Sequence, residues 1–153
     1  MRCPTPSAQR TPSAASTSLP PVTARTVLVL AGGPGLPDLR ALPPHVALIA
    51  ADGGAAHARR LGLRPDLVVG DLDSLPAAEL ELLERDGVQV ERHPVDKDQT
   101  DLELALAAAL ALQPERIVVV GSAAGRFDHT VGQLLILGSA SLAGVEVDAY
   151  LGE

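Results

Sequence analysis

From residue 26 onward, short apolar runs alternate with polar, glycine-bearing stretches and with longer segments of helical period. Thr26-Val-Leu-Val-Leu-Ala31 is continuously apolar, as a parallel strand covered on both faces requires. Val46 to Ala50, Asp66 to Asp71 and Arg116 to Gly121 read the same way, Val88 to Arg92 alternates, and Val145 to Tyr150 predicts a last strand. A short helix is expected from the glycines after Asp52 through Arg60, stopping near Gly62. The next helix, after Ser74, turns Leu75, Leu80, Leu82 and Leu83 inward and Glu79, Glu81 and Glu84 outward, and stops at Gly87. The strongest helix spans Leu102 to Leu112, its start specified by the capping box Thr100-x-x-Glu103. An apolar helix follows Arg126 and runs to about Ala143. Strands alternating with helices in this way predict an α/β fold: three layers, α/β/α, around a mostly parallel, Rossmann-like sheet.

Ligands of such sheets bind beyond the carboxyl ends of the strands, and four chemistry-bearing stretches fall there. In Asp52-Gly53-Gly54 the glycines permit close backbone approach to a ligand, while Asp52 is either a ligand contact or a helix cap. In Gly70-Asp71-Leu72-Asp73-Ser74 two carboxylates stand two residues apart. On an extended chain they leave on the same side, roughly 7 Å apart at ~3.3 Å per residue, and they repel unless a cation sits between them. The competing reading is a helix cap, with Ser74 as N-cap. Lys97, Asp98, Thr100 and Asp101 precede the strongest helix, whose dipole favours ionised carboxylates at that end. Gly125-Arg126-Phe127-Asp128-His129 joins a glycine-bearing loop to a guanidinium, which suits a phosphate; Asp128 reads equally as that helix's cap. Gly32-Gly33-Pro34-Gly35 resembles a dinucleotide fingerprint only weakly and reads as a plain turn. His93 has no second histidine at metal-ligand spacing and reads as a loop residue.

Composition narrows the function classes. The 153 residues suit one domain, and with 46% hydrophobic but 1% aromatic residues the core is built from Leu, Val, Ile and Ala. A formal net charge of -7 speaks against a general nucleic-acid partner, which needs a basic face. The single cysteine, Cys3, leaves no disulfide framework, so a reducing, cytoplasmic setting is the simplest inference. No apolar run approaches the ~20 residues of a membrane span, so no membrane partner is expected. Residues 1–24 are rich in Pro, Ser, Thr and Ala, with Arg2 and Arg10 and no acid. They read as a disordered extension or a misassigned start; prolines and the lack of an amphipathic face weigh against a transit peptide.

Taken together and in order, Ala51-Asp-Gly-Gly-Ala55, Pro65 to Ser74, Lys97-Asp-Gln-Thr-Asp-Leu-Glu103 and Gly121 to His129 resemble the catalytic domain of thiamine pyrophosphokinase. The resemblance spans roughly Val27 to Tyr150 and makes residues 25–153 a catalytic α/β domain. It implies transfer of the terminal pyrophosphoryl group of ATP to the hydroxyl of thiamine, with Mg²⁺ (magnesium), giving thiamine diphosphate and AMP. On that basis Asp71, Asp73, Asp98 and Asp101 are the expected catalytic and metal-holding residues. Asp52, Gly53, Gly54, Ser74, Lys97, Thr100, Gly125, Arg126, Asp128 and His129 are the expected nucleotide and phosphate contacts. The family carries a second, all-β domain that supplies part of the thiamine pocket and much of a homodimer interface. This chain ends where that domain is expected to begin, and Ala124 stands where the family has glycine. The alternative reading is therefore a catalytically impaired nucleotide- and Mg-binding module lacking the thiamine pocket.

Overall fold

The computed structural model describes residues 25–39, 41–96 and 98–152; the expected extension at 1–24 and the candidate Lys97 lie outside them. Among the described residues are six strands and four α-helices. The strands are β1 (Thr26–Leu30), β2 (Ala47–Ala51), β3 (Leu67–Gly70), β4 (Gln89–Arg92), β5 (Arg116–Ser122) and β6 (Glu146–Gly152). The helices are α1 (Gly54–Arg60), α2 (Ala77–Arg85), α3 (Asp101–Ala111) and α4 (Phe127–Leu137). The strands form one sheet in the order β4-β3-β2-β1-β5-β6, and every pairing is parallel.

The apolar runs are strands because they lie inside the molecule. Every residue of β1 is buried, and alternate side chains serve opposite faces. Leu28 and Leu30 pack with Leu48, Ala58, Val118 and Val120 on one side. Val27 and Val29 pack with Ile49, Ile117 and Val119 on the other, against Leu102, Ala105, Leu106 and Ala109 of α3. Ala50 and Val68 meet Leu75, Leu80 and Val88, so α2 covers the same face as α1. Together these clusters make the expected α/β/α sandwich. At the β6 edge, Arg116 bonds Asp148 and approaches Glu146, and the Asp148 bond raises the guanidinium pKa further.

Among the boundaries that differ from the sequence reading are those of the last helix and the last strand. The last helix ends at Leu137 rather than about Ala143, because Gly138 follows it and a 3-10 turn, Ala140–Leu142, brings Leu142 into the core. β6 begins at Glu146 and continues to Gly152 alongside Ser122. No described helix is long and apolar enough to cross a membrane.

The strand order places the topological switch between β1 and β5. The loops leaving these neighbours diverge there and open a crevice. Close packing of α1 onto β1 depends on Gly54, where an added Cβ would sit 2.0 Å from the carbonyl oxygen of Leu30. Backbone on both sides leaves no room to adjust. Gly54→Ala is expected to lower unfolding stability by about 2–3 kcal/mol, read as a shift in urea midpoint. Gly132→Ala on α4, whose Cβ meets nothing within 4 Å, is expected to be neutral or stabilising by up to about 1 kcal/mol. A wild-type midpoint for Gly54→Ala would contradict this packing.

Candidate active site

The carboxyl ends of β2 and β3 are adjacent, with Ala51 in register with Val69. Asp52 follows directly, and its N–H donates to the carbonyl of Val69 at 2.9 Å. Asp71 follows Gly70 on β3, and Asp101 opens α3. One carboxylate oxygen from each of Asp52, Asp71 and Asp101 lies within 4.8 Å of the other two. Gly70 is the floor of this cluster. Its φ is +150°, and a Cβ there would stand 3.0 Å from both Asp101 Oδ1 and the Cβ of Asp52.

The backbone around the cluster is strained. Asp52 has φ 40° and Leu72 φ 60°, the left-handed region that costs a non-glycine residue about 1–2 kcal/mol. Leu72 is 3% exposed and anchors the turn in the core beside Leu75 and Leu80. Asp71 and Asp73 therefore come together through a turn and not, as the sequence suggests, along an extended strand. The N–H of Asp73 donates to Asp71 Oδ1 at 3.2 Å. The Asp71 charge, then desolvation and a side-chain hydrogen bond to Asp71, and then the charges of Asp52 and Asp101 hold the Asp73 carboxyl above the usual range.

The structure decides between several open readings. Asp52 does not cap α1: the N-cap is Gly53, with no side-chain bond to the helix. Ser74 does not cap α2, which begins after Pro76; its hydroxyl donates instead to Asp52 Oδ2 at 2.8 Å. Asp128 does not cap α4 but takes a forked pair of bonds from Arg126, to Oδ1 at 3.0 Å and Oδ2 at 2.5 Å. That pairing lowers the Asp128 pKa and raises that of Arg126. The capping box at Thr100 and Glu103 is present, with both reciprocal bonds made.

A cavity of about 770 Å³ lies over this rim. Asp52, Gly53, Asp71, Thr100 and Asp101 line one side, and Gly125, Arg126, Asp128 and His129 line the other. Gly54 is buried and serves helix packing instead. Asp73 adjoins the three-carboxylate cluster, whereas Asp98 is exposed and outside it. Sequence reasoning missed three contributors. The first is Asp52 as a member of the carboxylate cluster, although it repeats the strand-end aspartate of Gly70-Asp71. The others are the Ala31–Pro34 loop and Ser122, which line the cavity at the switch point.

Three ionised carboxylates at this spacing repel one another; a pair 4 Å apart does so by about 4 kcal/mol at an effective dielectric of about 20. Asp52 Oδ1 is also buried without a hydrogen-bond partner among the described residues. An all-oxygen acidic set of this kind suits a hard divalent cation such as Mg²⁺, which is commonly held by a few carboxylates together with waters and phosphates.

Comparison with known proteins identifies the family of the chain and its fold. Residues 41–147 match the family model described as thiamin pyrophosphokinase, catalytic domain. The thiamine pyrophosphokinase of Bacillus subtilis (strain 168) is 35% identical over 116 residues, 74% of this chain and 54% of that protein. Thiamine pyrophosphokinase 1 of Oryza sativa subsp. japonica is 30% identical over 84 residues, 51% of this chain and 32% of that protein. The crystal structure of the Bacillus subtilis thiamine pyrophosphokinase superposes with a TM-score of 0.68 at 31% identity, covering 82% of this chain and 60% of that one. Yeast thiamin pyrophosphokinase, at 15% identity and a TM-score of 0.60, shares the fold. The chain thus spans about half the length of its Bacillus subtilis relative and about a third of the rice one. With the family model matched over most of its length, this chain belongs to the thiamin pyrophosphokinase catalytic-domain family.

Proposed function

We propose that residues 25–153 form the ATP- and Mg²⁺-binding α/β unit of a thiamine pyrophosphokinase. The observation that carries this reading is the convergence of Asp52, Asp71 and Asp101 within 4.8 Å at the mouth of the switch-point cavity. These three would hold the metal, with Asp73 beside them and Ser74 orienting Asp52. When bound, Mg²⁺ supplies charge neutralisation for the pyrophosphoryl oxygens.

The chain's own groups then divide the remaining work. Arg126, fixed by Asp128, faces the polyphosphate from the opposite wall as a guanidinium fork. Lys97 is assigned the same task from the sequence motif alone. In the reaction the thiamine hydroxyl oxygen bonds to the β-phosphorus of ATP. The bond from that phosphorus to the α–β bridging oxygen breaks, and AMP leaves. The hydroxyl proton passes to a carboxylate of the rim, for which Asp71 and Asp73 are the candidates. Catalysis of this kind rests on positioning and electrostatics more than on covalent chemistry. A homodimeric assembly and a cytoplasmic location belong to this reading through the family resemblance and the composition.

The direct test incubates the purified chain with ATP, Mg²⁺ and thiamine and follows AMP and thiamine diphosphate. Equimolar formation of both is expected, dependent on Mg²⁺ and thiamine. Binding of ATP without AMP formation would leave a nucleotide-binding module in place of the enzyme.

A second measurement addresses the carboxylates themselves. Because the folded Asp73 carboxyl takes up a proton more readily than the unfolded one, its contribution to stability is present in acid. That contribution is lost as pH rises from the ordinary carboxylate range through the raised one. Asp52→Asn removes one charge, retains an acceptor for Ser74, and turns an amide toward Asp71 and Asp101. Asparagine also tolerates the left-handed backbone at this position. At neutral pH without metal the variant is expected to melt about 2–4 °C higher than wild type, and to lose the rise in Tm that Mg²⁺ gives the wild type. An Mg²⁺-induced shift of wild-type size in the variant would remove Asp52 from the metal site.

A further inference from the structure

His129, Gly132, Gln133 and Ile136 line the cavity from α4, at the i, i+3, i+4, i+7 spacing of one helical stripe. Gly132 is the position in that stripe without a side chain, and it lies in the interior of the helix. Glycine there is destabilising relative to alanine, because it loses more backbone freedom on folding. Elsewhere in the chain such a residue has a packing reason. A Cβ at Gly54 would meet the carbonyl of Leu30, and one at Gly70 would meet Asp101 and Asp52. Gly132 has no such reason. Its φ lies outside the left-handed region, and an added Cβ would meet nothing within 4 Å. The residue is half-buried and faces the cavity, so the space over it is cavity space.

The surroundings indicate what fits there. Ala31, Ala51 and Leu102 belong to the core cluster and line the same cavity, and Ile136 packs against that cluster. These residues offer apolar contact and no charge. An apolar wall with a bare stretch of helix suits a flat, uncharged ring, which can lie against it over a whole face. Beside the bare stretch, Gln133 Oε1 is buried with no hydrogen-bond partner among the described residues. An unpaired buried acceptor is costly, and turning the amide over would bury a donor in its place. A ring that carries an amino group supplies the missing donor.

We infer that Gly132 is a specificity-determining residue: it keeps bare the stretch of α4 on which an amino-bearing heteroaromatic ring of the substrate lies, with the Gln133 amide as acceptor for the amino group. The inference rests on the function proposed above. Both substrates of that reaction carry such a ring, the adenine of ATP and the aminopyrimidine of thiamine.

The test titrates the full chain calorimetrically with Mg·ATP and, separately, with thiamine, and measures urea midpoints alongside. Gly132→Ala is expected to fold at least as stably as the wild type. It should nevertheless bind one of the two ligands about tenfold more weakly, the methyl occupying the place of the ring. Gly132→Leu should bind that ligand more weakly still. Gln133→Leu should weaken the same ligand with an unchanged or higher urea midpoint, since it removes an unpaired buried oxygen. Weakened ATP binding would identify the ring as adenine, and weakened thiamine binding would identify it as the aminopyrimidine. A merely structural role for Gly132 would lower stability and affinity together. Unchanged affinity in both Gly132 variants, for whichever ligand the wild type binds, would overturn the ring seat and leave the proposed function standing. Unchanged affinity in Gln133→Leu would overturn the amide contact. Binding of neither ligand by the wild type would overturn the proposed function and the seat together.

Discussion

Three carboxylates cannot remain within 5 Å of one another in an unliganded protein unless the backbone that carries them is held by something stronger than their repulsion. Here that hold comes from the register of a parallel sheet whose central strands are buried along their length. Asp52 and Asp71 lie one and two residues beyond the register pair Ala51 and Val69, so neither can retreat without breaking the ladder. Asp101 comes from the opposite layer, at the first turn of α3, where the helix dipole favours its negative charge. The left-handed backbone at Asp52 and Leu72 adds local strain, which the buried Leu72 side chain holds in place. Core stability is thus converted into a concentrated acidic field at one rim.

The opposite wall of the cavity carries an ion pair, Arg126 with Asp128, and has a different support. β1 and β5 are neighbours whose connections leave in opposite directions, and a single hydroxyl links their loops. Ser122 Oγ accepts the N–H of Gly35 at 3.2 Å and that of Ala124 at 3.1 Å. Arg126 then projects from the end of the β5 loop, fixed by its fork with Asp128. On the function proposed above, a polyphosphate with its cation would use both walls at once: acids for the metal and donors for the remaining phosphate oxygens. The strand order supplies that division, because the acidic residues follow β2 and β3 on one side of the switch while the donors follow β5 on the other.

Features encoded locally were legible in the sequence. The continuous apolar runs became the buried strands, and Thr100-x-x-Glu103 became a complete capping box, since each depends on residues a few positions apart. What the sequence hid is what register and tertiary contact decide. Asp52 looked like a cap or a phosphate contact until β2 lay against β3; its hydroxyl partner, Ser74, is 22 residues away. Asp73 and Asp98 look equivalent to Asp71 and Asp101 in a motif. Yet the left-handed Leu72 sets Asp73 beside the cluster, and the start of α3 at Asp101 leaves Asp98 exposed.

The two walls are also unequal in strength. α3 buries Leu102, Leu104, Ala105, Leu106 and Ala109, whereas α4, comparably apolar, has no fully buried residue. One side of α4 carries Asp128, His129, Gly132 and Gln133 to the cavity, and Ile136 and Leu137 tie it to the core. The other side leaves Phe127 81% and Leu135 70% exposed. Little buried apolar area thus holds α4 to the sheet. The acidic wall is therefore set by the folded core, while the donor wall depends on a helix that further packing on its outer face would steady. Contact on that face would reach Arg126 and Asp128 through the first turn of the helix, at the opposite end from Ile136 and Leu137. In this fold the geometry of the wall that carries Arg126 is thus more adjustable than the geometry that gathers the acids.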